Sequence, residues 1–251
     1  MAERRRLLIE PARLRSAQAL SRIGLTVAEA RYLKRVLRLR PGAEVHVVSG
    51  CGQLFSTRLT TEGDLALDSE LGALPYTVAA PHPPLGLAVS LMRRGMDEVM
   101  RMACELGVDR LQPLQAQRCV PQAEYRPDRW GVILREAVEQ CERLWAPELL
   151  PVLSTDDWWG NPSAEHLRLI AVTRDQACSD LSTLLAVTKS LPDGCWITIG
   201  PEGGWTSAEL RSAAEAGWCG VGLGDTILRS STAAVAATTA FCSWRRDVQR
   251  S

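Results

Sequence analysis

Two glycine-bearing segments carry the residue types and spacing from which a ligand site can be read. The first is Ile199-Gly200-Pro201-Glu202-Gly203-Gly204-Trp205, followed by Thr206 and then Glu209. It comes straight after the apolar run Cys195 to Ile199, which reads as a buried strand, and Thr206 with Glu209 three residues on forms a capping box that opens a helix. Strand, glycine turn and helix therefore meet at one point, and in an open α/β sheet ligands bind outside the carboxyl ends of the strands. Glycines let the backbone lie directly against a flat ligand, because no Cβ holds it away. Alone, such a segment reads as a tight turn. A second one follows, however: Gly222-Leu223-Gly224-Asp225-Thr226-Ile227-Leu228-Arg229, after the short strand Cys219 to Leu223 and before a small-residue helix from Thr232 to Ala237. Two consecutive strand-to-helix turns can wall one pocket from two sides.

These turns need a scaffold, and the composition provides for one. A chain of 251 residues with 46% hydrophobic and 23% charged residues can bury a substantial core in one or two domains. The formal net charge is zero but unevenly spread. Residues 1–40 hold eleven Arg and Lys against three Asp and Glu, whereas residues 41–84 and 85–251 each come to −4. A basic end of this kind suits a polyanion. At 100° per residue, Arg31, Lys34, Arg35 and Arg38 share one helix face, with Leu33, Val36 and Leu37 opposite. Four cations without an acidic partner four residues away do little for helix stability, so the stripe reads as a phosphate-binding surface.

The eight cysteines are scattered with no CxxC pair, the usage of a reducing compartment, and the three histidines lie in unrelated contexts. No metal site is expected. The apolar run Leu7-Leu8-Ile9 after the N-terminal arginines is too short for a signal peptide, and no stretch approaches a membrane span. A cytoplasmic protein is expected.

Along the chain, Val45 to Val48, Leu54 to Leu59 and Leu65 to Leu67 alternate with glycine turns, the pattern of a small β-barrel over residues 1–75. Pro75 to Pro84 cannot continue a sheet, which makes 76–84 a linker. From residue 85 to 251 strands and helices alternate: strand 87–91, a stripe of Met96, Val99, Met100 and Ala103 stopped by Gly107, strand 111–114, helix 128–143, strand 168–173, a helix near 179–189, strand 195–199, helix 206–216, strand 219–223 and helix 232–248. That order predicts a mostly parallel α/β domain. There is no GxGxxG after the first strand and no G-x-x-x-x-G-K-[ST] loop, which argues against a dinucleotide site and against nucleotide hydrolysis.

Several short motifs occur in order: Arg35-Val36-Leu37-Arg38 with Pro41-Gly42, Arg94-Gly95, Glu105 to Val108, Pro113, Arg118-Cys119, Trp130, Glu136-Ala137, Glu139-Gln140, Arg143, Pro147, Ile199 to Gly204, and Leu223-Gly224 with Ile227-Leu228-Arg229. In this order the chain resembles the RsmE family, the 16S rRNA uracil-N3 methyltransferases, over nearly its whole length. The resemblance implies an α/β fold of the SPOUT type, an α/β-knot with a trefoil-knotted, mostly parallel sheet, behind an N-terminal PUA-like RNA-binding β-barrel. It also implies S-adenosyl-L-methionine as cofactor, a homodimer, and as substrate a uridine in the decoding region of 16S rRNA in the small ribosomal subunit. Thr173, Ile199, Gly200, Pro201, Glu202, Gly203, Gly204, Leu223, Gly224, Ile227 and Leu228 would then form the cofactor site, and Arg31, Lys34, Arg35 and Arg38 would bind RNA.

Methylation at uracil N3 requires loss of the imide proton and a cation beside the developing anion. Arg229 and Arg94 are the candidates, with Arg118 third, and no residue stands out as general base. Each arginine reads equally as a phosphate clamp or a structural ion pair. The chain departs from the family pattern at Asp97, where lysine is usual, at Thr226, where arginine is usual, and at Ser231, where glutamate is usual. These departures keep open a second reading, a catalytically silent RNA-binding or ribosome-assembly protein.

Overall fold

The structure is a computed structural model describing residues 5–18, 21–67, 75–123, 125–163, 166–173, 178–188 and 191–250. The chain divides into two compact units, residues 1–80 with 135–146, and residues 81–134 with 147–251.

In the first unit β1 (Arg6–Leu8), α1 (Pro11–Gln18), β2 (Arg22–Ile23), α2 (Val27–Arg31), β3 (Glu44–Val48), β4 (Gln53–Leu59), β5 (Leu65–Leu67) and β6 (Tyr76–Thr77) follow in order. Their sheet runs β1-β3-β4-β5-β2, with β6 on β4. Only the β1–β3 pairing is parallel among these strands. The β3–β4 hairpin turns through Ser49 to Gly52, where Gly50 and Gly52 take positive φ and the Ser49 hydroxyl accepts from the N–H groups of Cys51 and Gln53. Leu7, Ile9, Leu33, Val45, Val47, Phe55 and Leu65 form the core.

Helix α2 opens with a capping box between Thr26 and Glu29. Glu29 is buried, yet Arg13 donates to both its oxygens, at 2.7 and 2.9 Å. Burial alone would raise this carboxyl; the bonds from Arg13 and Thr26 outweigh it and hold it low. The regular helix expected to carry the basic stripe ends at Arg31 and widens into a π-helical turn, Tyr32–Val36. Arg38 lies beyond it with φ +53°. Arg31, Lys34, Arg35 and Arg38 are all exposed, but not as one helical face. Val36, expected to pack with Leu33 and Leu37, is 63% exposed, because the wider turn carries it out of register with them.

Residues 135–146 complete this unit. The Leu8 N–H donates to Glu139 Oε1 at 2.8 Å, and Arg135 donates to the Leu8 carbonyl at 2.7 Å. Two side chains four residues apart thus satisfy the backbone of an edge strand in place of another strand. Burial pushes the Glu139 carboxyl from its ordinary 4.5 up to about 7, against the pull of the Leu8 N–H and Arg135. The folded state therefore holds an extra proton between those values, and stability contributed here falls as pH rises from about 4.5 to about 7. Glu139→Gln, which can still accept from Leu8, is expected to raise the urea midpoint at pH 8, with the gain shrinking toward pH 5. An equal effect at both pH values would show that the carboxyl does not titrate there.

The second unit contains β7 (Leu85–Ser90), α3 (Met96–Leu106), β8 (Arg110–Gln115), the first half of α4 (Pro127–Gln140), β9 (Glu148–Leu149), β10 (Leu153–Ser154), α5 (Thr155–Trp158), β11 (Leu167–Ala171), α6 (Leu181–Val187), β12 (Cys195–Ile199), α7 (Ser207–Glu215), β13 (Cys219–Val221) and α8 (Ser230–Val248). The sheet is parallel throughout, in the order β10-β8-β7-β12-β11-β13 with β9 on β8. Strands β7 and β12 are buried at every position, as expected of central strands covered on both faces. The helix expected near 179–189 is α6, and its expected end at Lys189 lies outside the described residues.

Several features of this unit bear on the site. Trp158, Trp159, Trp196 and Trp218 pack edge-on or tilted behind β12 and β11, with ring centroids 4.8–5.6 Å apart. Phe241 and Trp244 are buried within this unit, because α8 packs against α3, β7 and β12. No helix among the described residues is long and apolar enough to cross a membrane.

Candidate functional site

The carboxyl ends of β11, β12 and β13 lie side by side, and the segments leaving them enclose a cavity of about 530 Å³. Thr173 after β11, Ile199 at the end of β12 with Gly200, Pro201 and Gly204 after it, and Leu223, Gly224, Ile227 and Leu228 after β13 all line it. The two glycine turns do wall one space. Gly204 and Gly224 have φ of +69° and +106°, conformations that favour glycine. Gly200 is needed for another reason: a Cβ there would lie 2.9 Å from the Trp205 indole. That indole donates from Nε1 to the Ala171 carbonyl at 3.0 Å, which ties the first glycine turn to the end of β11. Its ring also packs edge-on against Trp159, extending the tryptophan cluster to the cavity wall.

Glu202 and Gly203 stand apart from the other nine residues of the expected cofactor set. Neither lines this cavity. A Cβ on Gly203 would meet Arg118, 2.9 Å from its Cβ and 3.1 Å from its carbonyl oxygen. Arg118 donates from Nη1 to the carbonyls of Gly203 and Trp205, each at 3.2 Å, so its guanidinium braces the outside of the turn. The same segment is held again one residue earlier, where the Gln117 N–H donates to Glu209 Oε1 at 2.9 Å. Glu209 also accepts from Thr155 and from Thr206, its partner in the capping box. Burial would raise its carboxyl, but the N–H groups of Gln117 and Thr206 outweigh burial and keep it ionised.

Beside this cavity lies a second, of about 540 Å³, lined by Met92, Arg93, Arg94, Glu202, Arg229, Ser230 and Ser231. Ser230, buried at the first turn of α8, lines both. Two of the three candidate cations, Arg94 and Arg229, therefore meet here, while Arg118 does not. Glu202 accepts from the Arg93 N–H at 3.3 Å. Sequence reasoning missed Arg93, Trp205, Asp180, Cys178 and Ser230 as lining residues. Trp205 was visible as an aromatic directly after the glycine pair, whereas nothing local marks Asp180 or Cys178.

The three departures fall in different places. Asp97, at the start of α3, accepts from Arg129 Nε at 2.5 Å and from Trp130 Nε1 at 3.1 Å, and lines neither cavity. Thr226 lines the first cavity and Ser231 the second. Among the described residues no group of three or more His, Cys, Asp or Glu side chains is placed to hold a metal.

Residues 80–242 match an RNA methyltransferase domain family, and residues 25–71 match an RNA methyltransferase PUA domain. A Synechocystis protein named ribosomal RNA small subunit methyltransferase E is 33% identical over 91% of this chain and 74% of its own length. The chain belongs to this family. A second RsmE relative, from Mycobacterium bovis, is 28% identical over 83% of this chain and 81% of its own. A crystal structure of RsmE from Neisseria gonorrhoeae bound to S-adenosyl methionine superposes with a TM-score of 0.78 and 27% identity, covering 96% of this chain and 98% of that one. The parallel sheet and the mixed sheet before it are thus the SPOUT-type α/β fold and the PUA-like domain of an RsmE methyltransferase.

Proposed function

We propose that the protein transfers a methyl group from S-adenosyl-L-methionine to N3 of a uridine in the decoding region of 16S rRNA, acting on the small ribosomal subunit in the cytoplasm. One observation carries the reading. A glycine-walled cavity and an arginine-lined cavity sit side by side and share Ser230. The first fits the cofactor: its volume suits a nucleoside with an amino-acid arm, and its wall offers bare backbone at Gly204 and Gly224, where a Cβ would meet no other atom, against a flat purine, while Gly200 makes room for the Trp205 indole. Thr173, Ile199, Pro201, Leu223, Ile227 and Leu228 complete that set, while Glu202 and Gly203 act from outside by shaping the turn.

Bound there, the cofactor supplies an electrophilic methyl group on a sulfonium. The chain's own part is to hold the uracil in line and to favour the imide anion. Arg229 and Arg94 present cations to the second cavity for this purpose. In the transfer N3 would give up its proton to water, the S–CH3 bond would break as the N3–CH3 bond forms, and S-adenosylhomocysteine would be left. No step requires a metal. Arg118 serves the reaction indirectly, because it fixes the carbonyls of the turn that carries Gly203 and Gly204.

The exposed Arg31, Lys34, Arg35 and Arg38 bind the ribosomal RNA. Replacing all four with alanine is expected to weaken binding to small-subunit particles and to lower the log–log salt slope by about three to four units, at about 0.7–0.9 per phosphate contact. An unchanged slope would make the stripe an ordinary solvated surface. We take the working form to be a homodimer, which light scattering at micromolar concentration tests.

The decisive experiment incubates the protein with small-subunit particles and labelled cofactor, then locates the methyl group by nuclease digestion and mass spectrometry. One N3-methyluridine per particle is expected. Binding of both cofactor and particle without transfer would favour the assembly-factor reading instead, for which Thr226 and Ser231 at the cavity walls are the motive.

A further inference from the structure

The second cavity gathers more positive charge than an imide anion needs. Arg93, Arg94 and Arg229 line it, and none of the three guanidinium groups has a hydrogen-bond or ion-pair partner among the described residues. Glu202 is the single carboxylate on its wall, and it accepts from the Arg93 backbone rather than from a guanidinium. Like charges collected without compensation repel one another, an arrangement that becomes favourable when an anion binds among them. Arg229 and Arg94 serve the singly charged, delocalised imide. Arg93 is left over and points to a second anion.

The surroundings say what kind. Helix α8 runs for nineteen residues, has no acidic residue in its first turn, and starts at Arg229 with no side-chain cap. Ser230 and Ser231, in this uncapped first turn, line the same cavity as the arginines. A phosphodiester suits this combination, because its two non-bridging oxygens can be shared between a guanidinium fork and the backbone N–H groups of a helix start. Helix α3 adds less, since Asp97 and Glu98 occupy its first turn.

We propose that this cavity is a phosphodiester subsite, in which Arg93 and the first turn of α8 grip the backbone phosphate beside the target nucleotide. The inference rests on the RNA-methyltransferase reading above and adds to it a positioning residue, Arg93, which no part of that reading uses. Gripping the phosphate fixes the nucleotide's backbone next to Ser230, so the base can reach the cofactor cavity only in one orientation. Arg229, at the boundary between the cavities, is left free to serve the base.

The test uses oligoribonucleotides containing the target uridine, in which a neutral methylphosphonate replaces either of the two flanking phosphodiesters. Affinity is read at equilibrium without cofactor, so that a protein unable to transfer methyl groups would still give an answer. One of the two replacements is expected to weaken binding to the wild-type protein about tenfold or more, the size of one charge-assisted hydrogen bond. In Arg93→Gln, whose cofactor affinity should be unchanged, the same replacement should cost clearly less, because only the contact with the first turn of α8 is left to lose. Inorganic phosphate should compete with the unmodified RNA in the wild type and more weakly in Arg93→Gln. The proposal is overturned if neither replacement affects the wild type, or if Arg93→Gln remains fully sensitive to the replacement. Competition by inorganic phosphate without a methylphosphonate effect would also overturn it, because the cavity would then take free phosphate and not the RNA.

Discussion

Arg245→Ala is expected to lower the free energy of unfolding by about 3–5 kcal/mol, the range found when one member of a buried ion pair is removed. Arg245, on the last turns of α8, has a side chain 9% exposed and donates to Asp109, to the Pro83 carbonyl and, at 2.7 Å, to the Gly107 carbonyl. Asp109 in turn accepts from the Leu85 N–H at 2.9 Å, so one guanidinium fastens the end of α8 to the start of β7 and to the α3–β8 turn. Alanine would take this guanidinium from a nearly buried carboxylate and from the Pro83 and Gly107 carbonyls. For a chain of this size each kcal/mol moves the melting temperature by about 2–4 °C, so a fall of about 6–20 °C is expected. The double variant Arg245→Met with Asp109→Leu should recover much of the loss, because neither charge then remains to be desolvated. A single variant costing under about 1 kcal/mol in urea titration would show that solvent reaches the pair.

That lock was invisible in the sequence, and the reason is instructive. Arg245, Asp109 and Leu85 are far apart in the chain, and only the folded path of α8 brings them together. What the sequence revealed was local. The capping box at Thr206 and Glu209 forms as its spacing requires, and the apolar run from Cys195 to Ile199 is a fully buried strand with those same ends. Gly107 ends α3 where the sequence placed the stop, and it does so in the left-handed conformation. The two glycine turns shared a wall because consecutive strands in a parallel sheet present their carboxyl ends on one side.

Misplaced residues were those whose role depends on contacts distant in sequence. Gly203 belongs to the same short segment as Gly204, yet it faces Arg118 rather than the cavity. The basic stripe was drawn on a regular helix, and a π-helical turn redirected Val36. Asp97 departs from the family's usual lysine, but it meets Arg129 and Trp130 away from both cavities. Nor does any local pattern announce that residues 135–146 belong with the N-terminal unit. Their contribution comes from Arg135 and Glu139 bonding to Leu8, more than a hundred residues earlier.

Arg229→Ala is expected to lower turnover by about 10²–10³-fold, the cost of removing one preorganised group that stabilises developing negative charge. Arg229 is the N-cap of α8, with extended backbone at φ −65° and ψ 150° and no capping bond from its side chain. Its neighbours Leu228 and Ser230 line the first cavity while Arg229 itself lines the adjoining one, which on the function proposed above puts Arg229 beside the path of the methyl group. A cation that matters chiefly for the imide anion acts in the transition state, so cofactor affinity and RNA affinity should stay near those of the wild type while kcat falls. Arg229→Lys should restore part of the rate, because it returns the charge without the fork. The contrast is Arg118→Ala, which unfastens the carbonyls of Gly203 and Trp205 and should therefore weaken cofactor binding first. Calorimetry with the cofactor, together with single-turnover methylation, separates the two patterns. If Arg229→Ala instead lost cofactor affinity and thermal stability together, with the rate of bound complexes unchanged, Arg229 would be a structural residue and the imide would need another cation, for which Arg94 is the remaining candidate in the same cavity.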